Sequence, residues 1–130
     1  MELNTSITDI SNKFSLLRLT GDVDAYFNSK LKTVLNKAIK SREGDLLVDL
    51  ENVEFIDSVG AGILVSALNK IQKKKRDLIL VYSNKSRVFK FLKFTEIDKK
   101  FTVYTTIQMA YDKLKIKSSK AESKLDEKVS

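Results

Sequence analysis

Cysteine, histidine and proline are absent from this chain of 130 residues. Without cysteine there can be no disulfide, no thiolate nucleophile and no sulfur-bound metal. Without histidine the commonest general base and the commonest metal ligand are gone, and with them any serine–histidine–aspartate triad. Carboxylates and lysines could still support catalysis, but no set of them recommends an enzyme, a metal site or a cofactor. The lack of proline leaves four glycines as the main punctuation. Long hydrophobic runs are missing too. The charge-free stretch from Ser58 to Asn69 is too short for a bilayer, which takes about 20 residues. Met1-Glu2-Leu3-Asn4 is not a basic region followed by an apolar run, so no signal peptide is expected. The expected location is the cytoplasm.

The residues that are present suit a water-facing fold. Charged residues make up 32% and apolar residues 42%, ordinary globular values, and the length favours one core. Net charge is +7, and a basic surface can attract nucleic acid or anionic membrane. However, the lysines are spread along the chain, and only Lys73-Lys74-Lys75-Arg76 forms a compact run. No aromatic residue interleaves with that run to stack bases. Direct nucleic-acid binding is therefore not expected.

Hydrophobic period switches repeatedly between two and 3.6. Residues 3–10 and 14–20 read as strands, and Gly21-Asp22 breaks the second. A helix is expected from Asp24, a suitable N-cap, with Phe27, Leu31, Val34, Leu35 and Ala38 on one face. "DLLVDL" (45–50) reads as a strand buried on both faces, and Phe55-Ile56 reads as a buried strand end. The next helix places Ala61, Leu64, Val65, Leu68 and Ile71 on one stripe and ends in the basic run, which complements its dipole. "DLILVYS" (77–83) is a strand, and Val88, Phe91 and Leu92 suggest a short helix. "FTVY" (101–104) is a strand, and Ile107, Ala110, Tyr111 and Leu114 form a last helical stripe. Phe89, Phe91 and Phe94 are expected in the core. This alternation predicts an α/β fold: a mixed sheet of four to five strands, largely parallel, with about four helices packed on it. The domain is expected to span 1–116, with 117–130 a flexible polar tail.

The segment "EFIDSVGAGILVSALNKIQKKKR" (54–76) carries the chemistry. Ser58 is a suitable N-cap for the helix that follows, and Asp57 would favour the positive helix end. Gly60 and Gly62 in the first turn each cost up to about 1 kcal/mol relative to alanine. Stability alone does not call for them. Bare backbone at a positive helix end suits phosphate binding, or delivery of the serine to a partner's active site. No dinucleotide fingerprint or P-loop is present. Tyr82 and Ser83, ending a strand of the same sheet, are further candidates for the binding rim.

"FIDSVGAGIL" resembles the Asp-Ser-x-Gly-x-Gly signature of the STAS domain in its anti-sigma-factor antagonist form. "LTGDVDAYFNSKL" (19–31) resembles the Gly-x-Leu-Asp motif of the same family, and "VYTTIQMAYDKL" (103–114) its final helix. The resemblance implies a non-enzymatic protein whose unmodified form binds an anti-sigma factor and frees a sigma factor. That partner would also be a serine kinase, with Ser58 the phosphoacceptor and a metal-dependent serine phosphatase reversing the mark. It further implies a partner-binding set of Gly21, Asp22, Asp24, Asp57, Ser58, Val59, Gly60 and Gly62. Val59 stands where many relatives carry a second hydroxyl residue, and Val23 replaces a leucine. The runner-up within the same fold is a non-phosphorylated STAS subunit of a signalling assembly or transport ATPase.

Overall fold

Alternating apolar positions early in the chain build an antiparallel pair, β1 (Leu3–Ser11) and β2 (Phe14–Val23). The computed structural model describes residues 2–11, 13–24 and 26–115. From β2 onward the sheet is parallel, with β3 (Asp45–Ile56), β4 (Leu78–Val81) and β5 (Thr102–Tyr104) added in sequence order. Each parallel step needs a crossover. These are α1 (Asn28–Ser41), α2 (Ser58–Gln72), and α3 (Phe89–Phe94) followed by a 3-10 turn at Ile97–Lys100. A last helix, α4, covers 107–115. The expected element order and the mixed sheet are observed. The expected tail at 117–130 lies outside the described residues.

Two apolar layers hold the sheet. On one face Leu31 and Leu35 of α1, Leu64, Leu68 and Ile71 of α2 and Leu92 of α3 meet Leu46, Val48 and Leu80. On the other, Ala110 and Leu114 of α4 cover Phe14, Leu16, Leu47, Ile79 and Val81. Each such leucine, fully buried, stabilises the fold by about 1.5–3 kcal/mol before entropy is counted. The doubly buried reading of 45–50 therefore holds, with Leu46 and Leu47 in opposite layers.

β3 continues well beyond the "DLLVDL" core. It pairs with β4 only from Leu46 to Asp49 but with β2 as far as Ile56, opposite Val23. Two register shifts, between Arg18 and Thr20 and between Gly21 and Asp22, give β3 extra residues against β2. Such bulges bend a strand and re-aim its side chains. Val53 and Ile56 still face the core, but Phe55 is 52% exposed, against the expectation of a buried strand end. The outer half of β3 thus stands on a projecting arm with β2 and β1.

Two further expectations are corrected. α1 begins at Asn28 rather than Asp24, with Phe27 in the N-cap position and no side-chain cap. The Asp24 carboxylate instead accepts from the N–H groups of Tyr26 (3.0 Å) and Phe27 (3.3 Å), closing the β2–α1 turn. Phe89 and Phe91 pack against the core as expected, whereas Phe94 is 90% exposed at the end of a six-residue helix.

Candidate functional site

The mouth of α2 sits at the far end of the β3 arm. Asp57, in extended backbone geometry, is the N-cap: its Oδ1 accepts from the Gly60 N–H at 2.7 Å. This corrects the expectation that Ser58 caps the helix. Both residue types cap well, and the chain uses the first of the pair. Ser58 becomes the first helical residue, exposed to solvent, so its hydroxyl is not committed to holding the helix.

The β2–α1 corner buttresses this mouth. The Asp57 N–H donates to the Val23 carbonyl at 3.1 Å, and the Asn28 amide Nδ2 lies 3.5 Å from Asp57 Oδ1. Asn28 is buried at 7% exposure, and its Oδ1 has no hydrogen-bond partner. The sequence reading missed it; its only signal was a polar residue near the start of a helix that was expected to begin earlier.

The two glycines of the motif play different parts. Gly60 is buried, and a Cβ there would lie 2.6 Å from Val23 Cγ1 and 3.2 Å from both Asn28 Oδ1 and the Val23 carbonyl. Its bareness serves internal packing, which corrects the expectation that it opens the surface to a partner. Gly62 is exposed, and a Cβ there would meet nothing within 4 Å. Gly21 has φ +106°, and a Cβ on it would fall 1.8 Å from the Glu2 carbonyl. Gly21 and Asp22 sit on the arm, opposite Val53 and Phe55 of β3, so they shape the support beneath the mouth.

Exposed apolar side chains stand on the elements that meet at this end of the molecule. Val59 is 58% exposed. Tyr26 at the β2–α1 corner is 85% exposed and stacks edge-on to Phe27 at 5.0 Å, and Phe55 is also exposed. Tyr26 and Phe55 were not anticipated; only the turn and the bulge bring them to this end of the molecule.

The rim residues expected at the end of β4 follow Val81, and the loop after them reaches the outer half of β3, where Arg87 Nε pairs with Glu54 at 3.1 Å. β4 stops beside Asp49, several residues short of the arm's tip. Tyr82 is buried, and its hydroxyl is pushed up to about 12, first by burial and then by the charge of Asp98. The Ser83 N–H and hydroxyl both donate to the Glu51 carboxylate, at 2.5 and 2.6 Å. Among the described residues no group of three or more acidic side chains is arranged to hold a metal ion. No helix of the described residues is long and apolar enough to cross a membrane.

Fold and site together define a mixed α/β domain that presents a serine at the mouth of its second helix. The STAS domain family matches residues 6–110. The chain belongs to that family. A Staphylococcus aureus (strain NCTC 8325 / PS 47) protein named anti-sigma-B factor antagonist is 31% identical over 81 residues, 62% of this chain and 74% of that protein. An anti-sigma factor antagonist from Mycobacterium paratuberculosis has the same fold, with a TM-score of 0.75 at 24% identity over 88% of this chain and 95% of its own. The Bacillus antagonist SpoIIAA also shares the fold. In unphosphorylated form its TM-score is 0.67 at 18% identity, over 86% of this chain and 98% of its own. In phosphorylated form it is 0.64 at 18%, over 85% and 99%.

Proposed function

We propose that this protein is an anti-sigma-factor antagonist whose binding is switched by phosphorylation of Ser58. Unmodified, it binds an anti-sigma factor in the cytoplasm and frees a sigma factor. That partner, acting as a serine kinase, phosphorylates Ser58 and is released, and a metal-dependent serine phosphatase resets the mark. The protein itself catalyses nothing and needs no cofactor. The observation that carries this reading is that Asp57 caps α2, leaving the Ser58 hydroxyl exposed at the positive end of a helix. The names of the curated relatives support the antagonist reading.

In this reading Ser58 is the acceptor, and Val59, Gly62 and the exposed Tyr26 and Phe55 form the contact surface. Asp57, Gly60, Gly21, Asp22 and Asp24 fix its shape. Phosphate adds about −1.5 to −2 charges. At roughly 6 Å from a partner carboxylate this costs about 1–5 kcal/mol between effective dielectrics of 80 and 20, a loss of roughly tenfold to several thousandfold in affinity. The helix end tolerates the anion, so the switch acts at the interface without unfolding the domain.

The test is mass spectrometry after incubation with the cognate kinase and ATP. One added phosphate is expected, abolished by Ser58→Ala. A pull-down should then retain the anti-sigma factor with Ser58→Ala and lose it with Ser58→Asp. Binding without any phosphate transfer would favour a non-phosphorylated STAS subunit instead.

A further inference from the structure

The outer faces of α1 and α2 carry a charge pattern that the Ser58 switch does not use. Between Asn28 and Arg42, and again between Ser58 and Arg76, there is no acidic residue. Where these helices pack side by side they leave a groove. Its upper part, about 180 Å³, runs from Val59 and Gly62 past Ile63 to Lys32 and Lys70. Its lower part, about 490 Å³, shares Asn36 and Lys70 with the first and continues past Ile39 to Lys40, Lys73 and Lys74. The groove therefore follows α2 from the first turn to beyond its last, about 22 Å at 1.5 Å per residue.

Floor and rim differ in chemistry. The floor is mainly apolar or bare: Leu35, Ile39, Ile63 and Ala67, with Gly62 open and one hydroxyl, Ser66, among them. The rim is lysine, and the ion pairs of the described residues involve none of Lys32, Lys40, Lys70, Lys73 or Lys74. Lys70 Nζ donates to the neutral Asn36 Oδ1 at 3.1 Å across the groove. Lysines on an exposed face keep a protein dissolved without help from a partner. That role explains neither the exclusion of every acid from both helices nor the apolar floor between the lysine rows.

We propose that the α1/α2 groove docks an acidic, amphipathic helix of a partner protein, its apolar stripe on the floor and its carboxylates between the lysine rows. The length accommodates about 15 helical residues, the scale of the helix-in-groove mode of recognition. A nucleic acid fits less well, because no aromatic side chain lines the groove for stacking and there is no arginine in it for bidentate phosphate or base contacts. The groove begins at Val59, beside Ser58, and shares Val59 and Gly62 with the contact surface of the proposed function, while its lysines lie outside that surface.

The test uses the full chain and a fluorescein-labelled 16-residue peptide with leucines at i, i+3, i+4 and i+7 spacing and glutamates elsewhere. Controls are a peptide of the same composition with the leucines shuffled off one face, a 16-base-pair DNA duplex, and vesicles of anionic phospholipid. Anisotropy should show saturable binding of the amphipathic peptide, at least tenfold tighter than the shuffled one. The triple variant Lys32→Glu, Lys70→Glu, Lys73→Glu should weaken it at least tenfold. Gly62→Leu, which fills the open floor, should weaken it severalfold. Lys99→Glu with Lys100→Glu, on the 3-10 turn before β5 and outside the groove lining, should leave it within twofold. Circular dichroism of each variant checks folding. Equal binding of the shuffled peptide, tighter binding of duplex or vesicle, an equal loss from the Lys99 and Lys100 changes, or no binding at all overturns the proposal. Since the assay contains no kinase, any of these failures leaves the Ser58 reading untouched.

Discussion

Asp57 and Ser58 are neighbours with similar capping chemistry, yet replacing each by alanine should have very unequal consequences. Asp57→Ala removes the acceptor for the Gly60 N–H, a 2.7 Å bond, at a cost of about 0.5–2 kcal/mol for a lost cap. It also removes a negative charge from the positive helix end, about 0.3–1 kcal/mol more. The Asn28 amide loses its contact at 3.5 Å in a buried position whose Oδ1 is already unpartnered. Together these predict a loss of about 1–3 kcal/mol. With a urea dependence of about 1–3 kcal/mol per molar for a domain of this size, the unfolding midpoint should fall by roughly 1 M. Asp57→Asn keeps an acceptor and should lose only the charge contribution. Ser58→Ala touches an exposed first-turn residue outside the cap and should stay within about 0.5 kcal/mol of the parent. Urea unfolding followed by circular dichroism reads all three. A Ser58→Ala midpoint shifted as far as that of Asp57→Ala would show that the serine caps the helix, and the case for a free acceptor hydroxyl would fail with it.

Three more outcomes are expected. Gly62→Ala should stabilise the protein by up to about 1 kcal/mol through helix propensity, whereas Gly60→Ala, crowding Val23 at 2.6 Å, should destabilise it by about 1–2 kcal/mol; thermal melts that move in the same direction would contradict the assignment of roles. Gly21→Ala should cost about 1–3 kcal/mol, because its φ is +106° and the new methyl meets the Glu2 carbonyl; an unchanged melting temperature would refute this. The Tyr82 hydroxyl, at about 12 in the fold against 10.0 ordinarily, holds its proton where the unfolded chain releases it. Its contribution, about 1–3 kcal/mol, is complete below pH 10 and is lost as pH rises from 10 to 12, so Tyr82→Phe should show a shallower decline of stability there than the parent.

The element order was legible because nearly every element buries a stripe or an alternation of its own, from the leucines of 45–50 to Leu64, Leu68 and Ile71. What escaped depended on contacts distant in sequence. The outer half of β3 alternates Asn52, Val53 and Glu54 with polar groups outward, and only its pairing with β2 makes it a strand. Phe55 looked like core until a bulge turned it to solvent. The signature drew attention to the mouth of α2, but local rules could not choose between Asp57 and Ser58 as cap, since the Val23 carbonyl and Asn28 that steady Asp57 come from another part of the chain. The same distant corner separates Gly60 from Gly62, which the sequence presents as equals.

Because β3 outruns β4, the serine occupies a promontory and not a plain. In the proposed function a kinase cleft has to enclose the Ser58 hydroxyl from more than one side, and a flat face would hold its walls away. Substitutions at the promontory's exposed positions, Val59 and Gly62, can retune what fits there, while those at Val53, Ile56 or Gly60 reach the same core layer as the leucines.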